Sequence, residues 1–492
     1  MNPFAIITVV ALITTSISIG LYGLRFSRGT SDFFMAARSM STFANASAMS
    51  GEYLSAASFL GIAGLVMLYG IDMLWYPVGF TAGYLVLLLF IAAPLRRSGA
   101  YTLPDFAETR MESRTVRRLS SALVVIIGWL YLLPQMQAAG LTLNVMTGAP
   151  VASGGVVVAL VVGLTVAAGG TRSISLVQSF QYWIKVGAIA IPTVLMLWAW
   201  TEQNSPRLSP ARWSEPLSTF GGRQFPLYGN LSLVIATFLG TMGLPHVLVR
   251  FYAIRDGRAA RRTTLLAISL ISVFYLFPPV IGALGRFYSL DLGRHGGSDA
   301  LVLLLPERVF PGAFGQLLGA LVDAGAFAAF MATASGLVLS ISGVLSQDLL
   351  QKRMGAVPGF RTGAALALLV PLALLPFIGQ LHLADMVAMA FAVAASTFCP
   401  LLVLGIWWRR LSTAGAIAGL AVGGTTSVLA VLVALFIPTT GPLHAVLGQP
   451  AAWTVPLAFA TMVVVSLATS DRVPGHAAIT MGRLHTPDKF VV

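Results

Sequence analysis

The sequence predicts an all-α polytopic membrane protein with about thirteen transmembrane helices, and three observations predict it. Hydrophobic residues make up 57% of the 492 residues and charged residues only 10%, whereas a soluble globular chain carries roughly 25% charged residues. The apolar residues fall into blocks of about 18 to 25 residues, the length at which a helix crosses a bilayer. No polar linker divides the blocks, which predicts a single membrane domain over residues 1–492.

These blocks are called the first to the thirteenth span, and their apolar runs lack the alternation of a membrane β-barrel. They cover residues 3–24, 43–69, 74–93, 116–146, 151–168, 174–200, 231–249, 265–287, 312–345, 362–378, 386–408, 414–437 and 453–467.

The positive charges predict the orientation of the chain. The formal net charge is +13, but most of the 30 Lys and Arg residues lie in alternate loops rather than in one basic patch. This asymmetry follows the positive-inside rule and predicts an outer N-terminus and a cytoplasmic C-terminus in a cell (plasma or inner) membrane. It also argues against a nucleic-acid partner. Cys399 is the only cysteine, so neither an intrachain disulfide nor a zinc cage is expected.

Two spans combine small residues with carboxylates. The second span contains Glu52 among Gly, Ser and Ala, and the ninth span contains Asp323, Thr333 and Ser335 in similar surroundings. Small residues alone favour close helix packing. A carboxylate near the bilayer centre is costly unless it faces protein or water. We therefore predict interrupted helices at residues 51–54 and 329–333, whose freed carbonyls could hold a cation.

Several segments resemble the sodium:solute symporter family, in particular its cation/acetate symporter branch. They are SDFFMAARSMSTFANASAMSGEYLSAASFLGI (31–62), GAYTLPDFA (99–107), GGTRSISLVQ (169–178), GLPHVLVRFY (243–252) and FAVAASTFCPLLVLGIWWRRLSTAGA (391–416). The resemblance runs in order through nearly the whole chain.

The resemblance implies a LeuT-type core of two inverted repeats, formed by the second to sixth and the seventh to eleventh spans. The core would cover residues 43–408. The helices at 3–24, 414–437 and 453–467 would be peripheral, and 470–492 would be a short cytoplasmic tail.

The same resemblance implies a symporter that imports a short-chain monocarboxylate (acetate, pyruvate or propionate) with Na⁺ or H⁺ as the coupling cation. No cofactor and no obligatory protein partner are expected. A sodium symporter of another solute such as proline is one alternative, and a transporter-like membrane sensor is another. We expect no enzyme, because neither a paired acid and base nor a phosphate-binding loop occurs in a supportive context.

In that family a sodium ion lies between the second and ninth spans. Carried over to this chain, its ligands would be the carbonyls of Gly51, Leu54 and Ala329, the Thr333 hydroxyl, and the position of Ala332. Where the family often has a second hydroxyl residue, this chain has Ala332, and Ser335 is a possible substitute. Gln178 stands where an aspartate is frequent. These departures weaken the expectation of sodium coupling.

Lys185 falls near the middle of the sixth span, about 16 Å from its predicted cytoplasmic start. A lysine so deep cannot reach the interface, and three roles remain open. It could pair with Glu52 or Asp323, bind the substrate carboxylate, or place its ammonium where a cation would lie and carry a proton. His246 and Arg250 are predicted to cap the cytoplasmic end of the seventh span, with a gating role as the alternative.

Overall fold

The computed structural model is helical throughout its described part, which comprises residues 2–23, 40–168, 171–202, 213–219, 223–252, 254–294, 297–350, 354–378, 381–437 and 441–487. No β-strand occurs in these ranges. The basic cluster at residues 25–38 lies outside them. The α-helices are Pro3–Gly23, Thr42–Tyr53, Ile62–Tyr69, Trp75–Val86, Ala92–Arg97, Leu103–Met111, Arg114–Thr147, Val151–Ala168, Thr171–Glu202, Pro226–Gly243, Pro245–Tyr252, Gly257–Phe274, Phe277–Tyr288, Leu290–Arg294, Leu301–Val309, Ala313–Leu345, Ala356–Leu374, Leu383–Trp407, Thr413–Phe436, Gly441–Gly448, Ala451–Ala468 and Ala477–His485.

Short segments of other helical type join or extend these helices. Wide turns of π-helix occupy Ala57–Gly61, Leu87–Ile91 and Ser346–Leu350, and 3₁₀ turns occupy Gly70–Leu74, Ser298–Ala300, Leu375–Phe377 and Ser470–Arg472.

Within the described residues, eleven helical segments are long and apolar enough to cross a membrane. One of them, Ala57–Arg97, contains about half of the second span and all of the third, and Val151–Ala167 is a shorter apolar helix. Each of the thirteen predicted blocks therefore falls on a helix, which confirms the all-α polytopic prediction. The spans differ in environment, since most residues of the ninth and eleventh are buried, whereas only a third or fewer are buried in the first and thirteenth.

Two spans are interrupted within their length. The helix Thr42–Tyr53 ends at Leu54, whose backbone is extended (φ −73°, ψ 91°) and whose N–H donates to Ser50 O at 3.0 Å. The seventh span breaks in the same way at Leu244 (φ −75°, ψ 113°). Pro245 follows, and it has no N–H with which to continue the ladder. The two breaks lie in the first span of each predicted repeat.

The predicted interruption of the ninth span is wrong. Its helix runs from Ala313 to Leu345 without a break at residues 329–333. The small residues serve close packing instead: a Cβ at Gly325 would overlap Ala188 of the sixth span, and one at Gly336 would overlap the Glu52 side chain. Through these two glycines the ninth span packs closely against both the sixth span, at Ala188, and the second span, at Glu52.

The C-terminal tail also has structure. Its helix Ala477–His485 packs on the end of the eleventh span, with Leu484 fully buried and the His485 imidazole against Ile406 O at 2.9 Å.

Candidate coupling site between the second, sixth and ninth spans

The break in the second span leaves two carbonyls that point at the sixth span. Lys185 Nζ donates hydrogen bonds to Gly51 O at 2.6 Å and to Leu54 O at 2.8 Å. Its side chain is fully buried and lies near the middle of the helix Thr171–Glu202. Gly51 is required here, since any Cβ would collide with the Gln178 carbonyl. The structure thus brings together Gly51, Leu54 and Lys185, with the amine on the two carbonyls predicted for a cation.

Of the three roles left open for Lys185, the structure contradicts the pairing with Glu52 or Asp323. The Glu52 carboxylate instead faces Arg250, with Arg250 Nε 2.6 Å from Glu52 Oε2. Both side chains are almost completely buried. An ion pair in such surroundings is tolerated only when its remaining polar atoms are also satisfied. Arg250 meets this condition by donating further hydrogen bonds to Ser175 Oγ and Gln178 Oε1.

The end-capping role predicted for Arg250 and His246 is therefore wrong as well. Arg250 lies inside the protein, where it joins the second, sixth and seventh spans through Glu52, Ser175 and Gln178. Each of these partners lies more than 70 residues from Arg250 along the chain, so sequence proximity could not reveal them. His246 is likewise buried at 1% exposure. The Gly–Leu–Pro sequence at 243–245 is the signal in the sequence for this arrangement. It marks a break inside an apolar span, so the residues after it need not lie at a helix end.

The ninth span joins this arrangement through two hydrogen bonds. Thr333 Oγ1 donates to Glu52 O at 2.7 Å, and Gln178 Nε2 donates to Ala332 O at 2.8 Å. The Thr333 hydroxyl, predicted as a cation ligand, thus bonds the second span, and the carbonyl of Ala332, which stands at a predicted ligand position without a hydroxyl, bonds Gln178. Ala329 is buried on the same helix, and Ser335 donates to Met331 O at 2.7 Å within its own helix.

Asp323 does not join the coupling site. At 100° per residue, it lies about 160° around the helix from Gly325, the glycine that packs on Ala188 of the Lys185 helix. One oxygen, Oδ1, has no hydrogen-bond partner among the described residues. Its charged neighbour is Glu307, before the start of the ninth span. Asp323 therefore belongs to the opposite face of this helix.

The geometry can hold one positive charge between two neutral carbonyls. An ammonium bonded at 2.6 and 2.8 Å to Gly51 O and Leu54 O fills the position that a small cation would otherwise take. The guanidinium of Arg250 neutralises Glu52 nearby. A lysine can give up its proton in such surroundings, whereas an arginine keeps its own.

Comparison with known proteins places these features in context. The family model of the sodium:solute symporter family matches residues 33–423. An uncharacterized symporter of Bacillus subtilis, YwcA, is 29% identical over 96% of this chain and 96% of its own length. A monocarboxylic acid transporter of Corynebacterium glutamicum is 30% identical over 87% of this chain and 83% of its own.

Solved structures show the same fold at low identity. A sodium-coupled sialic acid symporter in its substrate-bound outward-open state superposes with a TM-score of 0.71 at 14% identity, over 94% of this chain and 97% of that one. The nucleobase-cation-symport-1 transporter Mhp1, closed around bromovinylhydantoin, gives 0.57 at 15% identity, over 91% and 97%. Both are transporters of the LeuT fold, which confirms the fold implied by the sequence resemblance.

Proposed function

Because this chain belongs to the sodium:solute symporter family, whose members are transporters and not enzymes, we propose that it imports a short-chain monocarboxylate together with a proton. Acetate, pyruvate and propionate are the substrates proposed. The substrate class is supported by the relative named as a monocarboxylic acid transporter. The proton as coupling ion is supported by one observation, the contact of Lys185 Nζ with Gly51 O and Leu54 O.

In the proposed cycle Lys185 carries the coupling charge. Its ammonium, protonated from the outside, holds the broken second span to the sixth while a carboxylate binds. When the protein opens inward, the ammonium releases its proton to the cytoplasm and the two carbonyls lose a charged donor. One proton and one carboxylate anion enter in each turn, and the neutral amine returns to be protonated again.

The occupation of two assigned carbonyl ligands by Lys185 favours the proton over sodium. A sodium ion would have to displace the Lys185 amine from Gly51 O and Leu54 O. Sodium prefers several oxygen ligands at once, as hard cations do, and the charged amine competes with it directly.

The test is uptake into proteoliposomes with the pH gradient and the sodium gradient imposed separately. Labelled pyruvate is the better probe, with acetate second, because undissociated acetic acid crosses protein-free membranes readily. Protein-free liposomes supply the baseline. We expect an inward proton gradient to drive accumulation without sodium, with unlabelled propionate competing and proline or glucose having no effect.

Lys185→Met removes the charge and keeps most of the side-chain volume. We expect this variant to exchange labelled for unlabelled pyruvate across the membrane but to lose uphill uptake driven by pH. Lys352→Met, in a loop predicted to be cytoplasmic, is the matched control and should behave as the wild type. Strict dependence on sodium, with no response to pH, would contradict the proton role while leaving monocarboxylate symport intact. Transport of proline instead of pyruvate would contradict the substrate class.

A further inference from the structure

A cavity of about 570 Å³ lies between the first turns of the helices Thr42–Tyr53 and Gly257–Phe274. Residues from the segment 40–45 line one side of it, and residues from the segment 254–263 line the other. Further along, the two helices are in contact, since Ser50 Oγ donates to Ala267 O at 3.4 Å. The cavity is therefore at the starts of the second and eighth spans, on the side of the membrane predicted to be cytoplasmic. Its volume is that of a site for a small ligand.

The wall of this cavity is strongly basic. Arg255, Arg258 and Arg262 line it, and Asp256 is the one carboxylate among the described lining residues. Asp256 already has two partners, because it accepts a hydrogen bond from Ala259 N at 2.8 Å and lies 3.7 Å from Arg255 Nε. Arg258 and Arg262 are exposed and form neither a hydrogen bond nor an ion pair within the described part of the chain. This surplus of positive charge attracts anions.

Two buried polar side chains of the wall lack hydrogen-bond partners. Asn45 is 6% exposed and Thr263 is 1% exposed, and both line the cavity. Neither side chain forms a hydrogen bond with another described residue. The neighbouring Thr264, by contrast, donates to Ala260 O at 2.7 Å within its own helix. Because buried polar groups without partners cost free energy, an amide and a hydroxyl in this position are suited to donate to a ligand.

Both helices begin at the cavity, which adds to its positive potential. Ser41 Oγ caps the first helix by accepting from Ala44 N at 3.2 Å, and Asp256 caps the second. A cap satisfies only part of the N–H groups in a first turn, and a helix start carries a partial positive charge that favours anions. The loop before the second helix is held in place by Arg96, which donates to Ile254 O and, at 2.9 Å, to Arg255 O.

Exposed apolar side chains lie beside the cavity. Phe43 stacks on Trp183 at 5.7 Å between ring centroids, and the two side chains are 51% and 46% exposed. Leu265, which follows Thr263 on the other wall, is 58% exposed. Aromatic residues of this kind are typical of the level of the lipid headgroups. The cytoplasmic leaflet also carries the anionic lipids that attract basic segments.

From these observations we infer that the cavity binds a phosphate group, with Arg258 and Arg262 supplying the charge. Asn45 and Thr263 add neutral donors to the same group. An anionic phospholipid and a soluble phosphate share this chemistry, and the exposed pair of Phe43 and Trp183 favours the lipid. The inference does not depend on the proposed function. A phosphate bound here would hold the start of the helix whose other end carries the carbonyls that Lys185 contacts.

The first arm of the test measures binding to the detergent-purified protein by isothermal titration calorimetry, so it requires no transport. The probes are dioctanoylphosphatidylglycerol, zwitterionic dioctanoylphosphatidylcholine and inorganic phosphate. We expect the anionic lipid to bind at least about tenfold more tightly than the zwitterionic one. Displacement of the anionic lipid by inorganic phosphate would assign the site to a soluble phosphate, and a failure to displace it would assign the site to the lipid. Saturable binding of neither anion would overturn the inference.

The second arm removes the charge from the wall. In Arg258→Gln/Arg262→Gln the loss of charge-assisted hydrogen bonds should weaken the binding of the anion about tenfold to a hundredfold. Arg261→Gln is the matched control, because Arg261 is exposed on the same helix but does not line the cavity. It should keep nearly the wild-type affinity. An equal loss for each arginine removed, including Arg261, would mean that the anion is attracted by the basic surface as a whole, and the inference would be wrong.

Asn45→Asp tests the buried part of the wall at nearly constant volume. A carboxylate at this position should repel the anion and abolish its binding, and the affinity for the zwitterionic lipid should be unchanged. Wild-type affinity for the anion in folded Asn45→Asp protein would contradict the role of Asn45. The unfolding temperature without ligand shows whether the variant folds. If it does not, the exposed arginine variants decide the question alone.

Discussion

The Glu52–Arg250 ion pair is the contact on which a single substitution should act most strongly. Arg250→Met would leave the Glu52 carboxylate buried and unpaired, which costs about 3–5 kcal/mol in comparable cases. We expect a clear fall in the thermal unfolding temperature of the purified protein. The double variant Glu52→Gln/Arg250→Met removes both charges and should recover most of the stability. Transport should not return, because Arg250 also bonds Ser175 and Gln178.

An outer ion pair provides the control for that experiment. Arg308 and Asp291 lie 2.5 Å apart with 31% and 57% of their side chains exposed. Exposed pairs contribute about 0–1 kcal/mol, so Arg308→Met should change the unfolding temperature little. Equal changes of the unfolding temperature in Arg250→Met and Arg308→Met would mean that the buried pair contributes no more to stability than the exposed pair.

For single residues, the sequence predicts the depth of a side chain in the membrane better than its hydrogen-bond partners. The depth of Lys185 follows from counting residues along its helix, and burial follows from depth. Its contact with Gly51 and Leu54 was one of three open roles. An unbroken seventh span places Arg250 at a helix end, whereas the break at Leu244 sets the position of the half-helix that carries it. A partner nearly 200 residues away, as Glu52 is, cannot be deduced from local pattern.

The ninth span, as an element, depends on glycines at the faces it presents to its neighbours. Gly336→Ala would push a methyl group into the Glu52 side chain, which Arg250 holds in place. Overpacking of this kind costs roughly 1–3 kcal/mol. We expect a lower unfolding temperature and weaker pH-driven uptake.

Gly343→Ala is a control within the same helix, because nothing lies within 4 Å of a Cβ there. Alanine favours a helix over glycine by about 1 kcal/mol, so this variant should be as stable as the wild type or slightly more so. A similar loss of stability in both variants would show that the helix is sensitive to any added volume.

These glycines explain why one predicted break was confirmed and another was wrong. The second and ninth spans have similar compositions, and composition does not distinguish a glycine that permits a break from one that permits close packing. At Gly336 the close neighbour is the Glu52 side chain of another span. At 243–245 the following proline removes an N–H, a local cause that can be read directly from the sequence.

For the whole molecule, the orientation in the membrane is still a prediction. Cys399 is the only cysteine and is buried. A single cysteine introduced at an exposed position should therefore be the main site that a maleimide labels. With a membrane-impermeant maleimide on intact cells, Leu443→Cys should react from outside and Gly475→Cys only after permeabilisation. Both positions are exposed. The reverse pattern would overturn the predicted outer N-terminus and cytoplasmic C-terminus.

The overall fold was predictable because the bilayer constrains it so strongly. Long apolar runs must form helices that satisfy their own backbone, and every predicted block falls on a helix. The repeat boundaries, the core at residues 43–408 and the peripheral helices stay predictions. The buried polar contacts could not be predicted from pattern, since Arg250 meets Glu52 and Gln178 only after the second, sixth and seventh spans pack.

The Lys185 amine on its two carbonyls has a consequence for the energetics of the cell. If one proton accompanies each monoanion, the transported pair is electroneutral, and the membrane voltage cannot drive or oppose it. Accumulation would then be limited by the acidity difference alone, at about tenfold for each pH unit. That limit equals the one reached by slow leakage of the undissociated acid. Such a carrier would supply speed and selectivity, and it would lose its driving force when the surroundings turn alkaline.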